Sequence, residues 1–145
     1  MFLGQYTGEL KPNNRLSLPT DFHELISDGV YLTQGFDRNV LVITKSAFEH
    51  MYRHITSLNI ADPLTRLLSR MLLGAASFLE VGKDGILSLP ESLAQFADLT
   101  NKVIIVGQGD YFEVWSTDQW EAQKLQLKDF QANAQRFSAF NIATR

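Results

Sequence analysis

One sequence pattern occurs twice in the chain, and this duplication limits the folds available to it. The letters "LSLP" begin at Leu16 and again at Leu87, 71 residues further on (87 minus 16). A turn pair precedes each copy, "NN" in the first and "DG" in the second. The later segments "VYLTQGFDRNVLVIT" and "VIIVGQGDYFEVWS" share an apolar run, a polar turn and a second apolar run, with one residue of slippage per loop. We therefore predict a tandem repeat of one structural unit.

The pattern of each copy predicts a strand, a turn, a second strand ended by proline, a short helix and a β-hairpin. A unit of about forty residues made of one ribbon and one short helix cannot bury a core alone. Two units that pair about a pseudo-twofold axis can do so, with their strands forming one barrel-like sheet. The pattern predicts units over 5–47 and 76–119 that fuse into one α+β domain.

Helical segments lie outside the two units. Residues 48–75 form the predicted linker, with apolar residues at helical spacing in "SAFEHMYRHITSLN". The second linker helix should begin at Asp62, an N-cap residue type, with Pro63 at its first position. A further helix of mixed polarity is predicted over 120–140.

Composition narrows the class of protein. The 145 residues are 45% hydrophobic and 20% charged, as in a globular domain, and the net charge is −3. Because the whole-molecule field does not favour nucleic acid, any DNA contact must come from a local cationic patch. The absence of cysteine excludes disulfides, thiolate nucleophiles and cysteine-based zinc sites. No signal peptide or membrane-spanning run is visible, so we expect a cytoplasmic protein without a membrane partner.

The residues that could support catalysis do not form a convincing set. His50 and His54 have the i, i+4 spacing of two metal ligands on one helix face. However, Met51 occupies the place where a metalloprotease motif needs glutamate, and Arg53 would repel a cation. The glycines of "GQGDYF" lack the lysine and helix start of a phosphate-binding loop. We predict no enzyme activity, metal, cofactor or small-molecule substrate.

Cationic and amide side chains at the two turns are the candidate binding residues. Lys11 and Arg15 flank the first turn, and Lys83 lies in the second. If the units pair about a twofold axis, we expect both turns at one end, where these cations converge. Arginine suits bidentate contact with guanine or phosphate, and Asn13 and Asn14 could bond adenine or the backbone. The alternative is that a surface turn simply carries charged residues.

The segments "MFLGQYTGELKPNNRLSLP", "RMLLGAAS" and "VIIVGQGDYFEVWSTDQW" resemble the MraZ family of bacterial transcriptional regulators, from Met1 to about Trp120. The resemblance implies two AbrB-like units that form a swapped-hairpin β-barrel. It also implies a ring homo-oligomer, associated with the nucleoid, that binds double-stranded DNA at promoter repeats upstream of division and cell-wall genes.

The family's DNA signature is Asp-x-x-x-Arg, once per unit. The first unit keeps Arg15 but has Lys11 in place of the aspartate, whereas the second has Gly82 and Ile86 at the two positions. The resemblance therefore implies that Arg15 contacts DNA and that the second unit has lost its equivalent, which predicts weaker or altered specificity. The alternative is an AbrB-fold assembly or scaffold protein with a decayed DNA surface.

Overall fold

Eight antiparallel strands and six short helices build the part of the chain that the computed structural model describes, residues 1–144. The strands are β1 (Gln5–Lys11), β2 (Arg15–Ser17), β3 (Val30–Gln34), β4 (Val40–Thr44), β5 (Ser77–Leu79), β6 (Ile86–Ser88), β7 (Lys102–Gly107) and β8 (Tyr111–Ser116). The helices are α1 (Thr20–His23, followed by a 3₁₀ turn at Glu24–Ile26), α2 (Lys45–Thr56), α3 (Pro63–Leu72), α4 (Glu91–Phe96), α5 (Thr117–Leu127) and α6 (Phe130–Arg136).

Each half of the chain adds one strand to a β-hairpin of the other half. The strand order is β5-β3-β4-β8-β7-β1-β2-β6. Strand β1 pairs with β7 from the second half, and β5 pairs with β3 from the first half. This exchange joins all eight strands in one shared half-barrel, so neither half has a complete sheet without the other. The predicted α+β, swapped-hairpin fold of two AbrB-type units is confirmed.

Equivalent residues of the two halves face each other across the sheet. Leu16 in β2 lies opposite Leu87 in β6, which is the offset of 71 residues seen in the sequence. Leu41 in β4 lies opposite Glu113 in β8, an offset of 72 (113 minus 41). A pseudo-twofold axis requires self-paired positions of this kind. The change from 71 to 72 is the slippage predicted for the loops.

The core fills the space enclosed by this sheet. Leu16 and Leu87 are almost fully buried at its centre. Phe2 packs edge-on against Phe22 and Phe112, with ring centroids 4.9 and 5.1 Å away, a favoured arrangement of aromatic rings. The N-terminus is held there because the Phe2 N–H donates to the Gly109 carbonyl at 2.7 Å. The first residues of the chain are thus part of the core.

The turn before the second LSLP copy does not connect two paired strands. β5 has three residues where β1 has seven. No pairing joins β5 to β6 within residues 1–144, so the half-barrel is open between them. The turn is closed instead by the Gly85 N–H, which donates to Gly82 O at 3.0 Å, and by Asp84 Oδ1, which accepts from the Ile86 N–H at 3.1 Å. The two turns that precede the LSLP strands, which form the two tips of the molecule, therefore differ in structure.

Side-chain caps start both linker helices, the second at the predicted Asp62. Thr44 Oγ1 accepts from the Ala47 N–H at 3.3 Å and starts α2. Asp62 Oδ1 accepts from the Leu64 N–H at 2.9 Å and starts α3, with Pro63 at the first position. Among the described residues, no helix has the length and apolar character to cross a membrane.

The C-terminal segment contains two helices where the sequence predicts one over 120–140. α5 ends at Leu127, and Asp129 starts α6 by accepting from the Ala132 N–H at 3.1 Å through Oδ1. A short polar side chain that satisfies a backbone N–H in this way competes with continuation of the helix. None of the residues of α6 is buried.

A buried carboxylate organises the outer face of the sheet. Glu113 is 8% exposed and accepts three hydrogen bonds, from Asn39 Nδ2 at 2.8 Å, Gln108 Nε2 at 3.0 Å and Trp115 Nε1 at 3.1 Å. These donors come from both hairpins. The three bonds offset the cost of removing the carboxylate from water.

We predict that Glu113→Ala lowers the free energy of unfolding by about 2–3 kcal/mol, because the buried donors of Asn39 and Trp115 lose their acceptor. Thermal denaturation followed by circular dichroism measures this loss. The control is Glu121→Ala, which removes an exposed glutamate paired with Lys124 and should change stability by less than about 0.5 kcal/mol. Equal effects of the two substitutions would contradict the role given to Glu113.

Two glycines with positive φ allow the cost of backbone strain to be measured apart from the cost of steric overlap. Gly85 has φ +69°, and a Cβ there would overlap the His23 ring, whereas Gly109 has φ +85° with open space around it. Gly109→Ala should cost on the order of 1–2 kcal/mol from backbone strain alone. Gly85→Ala should cost at least about 1 kcal/mol more. Urea unfolding of both variants gives the comparison, and similar losses would mean that His23 moves aside freely.

Candidate nucleic-acid interface

The first tip is a tight hairpin whose geometry depends on two asparagines. β1 and β2 pair through Leu10 with Leu16 and Lys11 with Arg15. The turn between them places Asn13 at φ +67° and Asn14 at φ +56°. Asparagine tolerates this left-handed conformation better than other residues with a side chain, apart from aspartate. The hairpin is therefore closed by residue types that match its backbone.

Lys11 and Arg15 form a cationic pair at the base of this tip. As directly opposed residues of an antiparallel ladder, they project from the same face of the hairpin. Both are exposed, and Lys11 Nζ lies 3.5 Å from Glu9 Oε2. Within residues 1–144 the Arg15 guanidinium has no hydrogen bond or ion pair with another side chain. Its five donors are available to a partner in solution.

Asn14 is held by the second half of the chain. Its Nδ2 donates to Glu91 Oε2 at 2.7 Å, and its carbonyl accepts from the Leu89 N–H at 3.0 Å. Glu91 also accepts from Gln95 Nε2 at 3.2 Å. The Asn14 amide donor is thus engaged within the protein, whereas Asn13 is exposed at the tip. Asn14 supports the tip more than it offers a contact.

Glu91 is a residue of the first tip that sequence reasoning missed. It follows Pro90 at the start of α4, where it reads as an ordinary acidic residue of a first helical turn. Its contact with Asn14 spans 77 positions of sequence. Only the pairing of β2 with β6 brings α4 beside the first tip. The repeat offers a partial signal, because it predicts that the two LSLP strands lie together.

The second tip carries Lys83 on a different support. Lys83 is exposed in the turn from Gly82 to Gly85. The His23 ring packs over Gly85, and His23 Nε2 lies 3.0 Å from the Leu18 carbonyl. The Leu18 N–H donates to the Gly85 carbonyl at 3.0 Å. A histidine at this tip thus takes the supporting role that Glu91 has at the first.

The structure does not bring all the predicted cations together. Arg15 pairs with Ser88, whereas Ile86 pairs with Ser17, so the two turns leave opposite ends of the β2–β6 ladder. The three residue pairs of this ladder separate the turns, a length of roughly 10 Å. The prediction that both turns emerge at the same end is wrong, because equivalent turns of antiparallel strands lie at opposite ends. Lys11 and Arg15 converge, and Lys83 stands apart.

The other chemical candidates remain dispersed. His50 and His54 are exposed on α2 with ring centroids 5.9 Å apart. No group of three or more ligating side chains that could hold a metal occurs in residues 1–144. The "GQGDYF" segment spans the turn between β7 and β8, and Ser17 and Ser88 are exposed strand residues. An arginine–lysine pair on a hairpin can bind anionic oxygens or guanine edges.

Comparison with known proteins identifies the family of this chain. Residues 72–141 match the family model described as "MraZ protein, putative antitoxin-like", so the similarity continues past Trp120 into α6. The chain is 34% identical to the transcriptional regulator MraZ of Roseiflexus castenholzii over 138 residues, 95% of this chain and 94% of that protein. It is also 34% identical to the protein of that name from Herpetosiphon aurantiacus over 143 residues, 98% and 100% of the two chains.

A protein of the same name from Micrococcus luteus is 33% identical over 120 residues, 83% of this chain and 84% of that protein. These relatives are named as regulators and not as enzymes, in agreement with the prediction from the sequence. Similarity at this level over nearly the whole chain, together with the double-unit fold, means that the chain belongs to the MraZ family.

Proposed function

We propose that this protein is a sequence-specific, DNA-binding transcriptional regulator whose first tip reads double-stranded promoter DNA. The observation that carries the proposal is the unpaired Arg15 beside Lys11, on a hairpin held by Asn14 and Glu91. A rigid support lowers the entropy lost when the arginine binds. The names of the relatives point in the same direction.

In this proposal the two AbrB-like units cover 5–47 and 76–119, and the protein acts as a ring of identical subunits. The ring binds repeats upstream of division and cell-wall genes in the nucleoid of the cytoplasm. Because each subunit carries one such arginine, several tips must engage repeated sites together, and avidity compensates for the missing second arginine. Lys83 adds a phosphate contact that carries no sequence information.

We predict that Arg15→Ala weakens binding to the chain's own upstream region by about 10- to 100-fold, since one arginine–guanine pair contributes on the order of 1–3 kcal/mol. Fluorescence anisotropy at a fixed salt concentration measures the change. The matched control is Arg53→Ala, which removes an equal charge from the exposed face of α2. Binding that survives Arg15→Ala unchanged would exclude Arg15 as the reading residue. DNA affinity absent in the unmodified protein would favour the alternative, a scaffold.

Removing the contact between Glu91 and Asn14 should have two opposing effects on DNA affinity. Glu91→Ala removes a negative charge near DNA, which by itself favours binding, but it also frees Asn14. We expect the second effect to dominate, with a loss of about 3- to 10-fold in affinity, equivalent to one hydrogen bond. Glu91→Gln keeps an acceptor oxygen and removes the charge, so its affinity should equal or exceed that of the unmodified protein. If both variants bind more tightly, charge and not support is the role of Glu91.

A further inference from the structure

Helix α3 turns an apolar stripe away from the body of the protein. Leu64 and Leu67 are 70% and 62% exposed, and Met71 lies on the same helical face. Leu72 is the buried residue of this helix. A surface helix normally directs its apolar stripe inward, so α3 has the pattern of a helix with a second apolar neighbour.

Within residues 1–144, one free arginine borders this stripe, and a second arginine lies on another face of the helix. Arg70 is exposed one turn after Leu67. Arg66 is half-buried and donates through Nη1 to the Ile60 and Ala61 carbonyls at 3.0 and 3.1 Å. The outward face of α3 therefore combines leucines with a cationic margin. A partner that covers it should be apolar at its centre and acidic at its edge.

An apolar groove of about 350 Å³ lies elsewhere on the molecule, between the outer face of β4 and β8 and the side of α2. Leu41, Ile43 and Met51 line its floor, and Phe36, which is 68% exposed, stands at its mouth. Helix α2 packs against β4 and α5 packs against β8, and the groove stays open beside them. Its volume and apolar lining suit the leucines of a short helix.

The margin of this groove is acidic. Asp37 and Asp110 are exposed at its edge, and Glu113 lies beneath them. Burial raises the pKa of Tyr111 in the groove wall, and the carboxylates of Glu113 and Asp37 raise it further. A negative field at the groove has that effect on a phenol. The groove thus has the charge opposite to that of the margin of α3.

We infer that α3 of one subunit docks in the β4–β8 groove of a second copy of this chain, with Arg70 facing Asp37 and Asp110. The two surfaces lie on different parts of the molecule, so the contact is head-to-tail and produces a ring if it closes. Contact of α3 with α3 would instead bring the arginines of both copies together. This inference rests on the ring in the proposed function and adds the surfaces that form it.

Two surface variants test the assignment. The helix variant carries Leu64→Ser and Leu67→Ser, and the groove variant carries Asp37→Arg and Asp110→Arg. All four positions are exposed, so both variants should keep the circular dichroism spectrum and melting temperature of the unmodified protein. The control is Leu125→Ser, which removes an equally exposed leucine from α5. Light scattering coupled to gel filtration measures the mass of each assembly.

The unmodified protein and the control should form the assembly, whereas each surface variant alone should elute as a chain of 16.4 kDa. An equimolar mixture of the two variants should give a dimer of one copy of each, because one intact helix meets one intact groove. Assembly of either variant alone, or a mixture that stays monomeric, would overturn the assignment. An unmodified protein that is monomeric at high concentration would instead refute the proposed ring itself.

The competing occupant of the groove is the aromatic C-terminal arm, which consists of α6 and the residues that follow it. Phe130 and Phe137 are exposed there, so a variant with Phe130→Ser and Phe137→Ser is compared in the same measurement. If only the arm variant is monomeric, the groove does not hold α3, and the inference fails. If the arm variant assembles, the role of α3 is supported.

Discussion

The exchange of strands between the two halves of the chain is the constraint on which the rest of the structure depends. β1 pairs with β7 and β5 with β3, so the apolar faces of both halves enclose a single core around Leu16 and Leu87. Neither half has enough strands or apolar residues to bury a core separately. This is also why the first tip is supported from the second half. The position of Arg15 is consequently a property of the whole domain.

The duplication has been kept in the core and lost at the surface. Self-paired positions such as Leu16 with Leu87 preserve the symmetry, because packing there tolerates little change. The tips are free to diverge. The first has a ladder, two left-handed asparagines and a bond to Glu91, whereas the second has a short turn under His23. A pseudo-symmetric fold thus presents two chemically different ends.

Much of the fold could be predicted from particular residues. The proline that ends each LSLP copy, the Asp62–Pro63 helix start and the turn residues each act within a few positions of the chain, where local conformation follows from side-chain chemistry. The predicted single C-terminal helix was replaced by two, because Asp129 caps the backbone locally. Convergence of all the cations was also wrong. It depends on the direction in which two strands pair, which the pattern of one strand does not contain.

By itself the sequence determined the repeat, the order of the elements, the buried leucines of the paired strands and the cationic residues of the tips, since all of these follow from local pattern and side-chain type. Only the tertiary structure decided that Asn14 meets Glu91, that Asn39 meets Glu113 and that α3 turns its leucines outward. The first two contacts join residues 77 and 74 positions apart. Such contacts depend on strand register and on how helices pack against the sheet, and those are settled by the collective burial of the core.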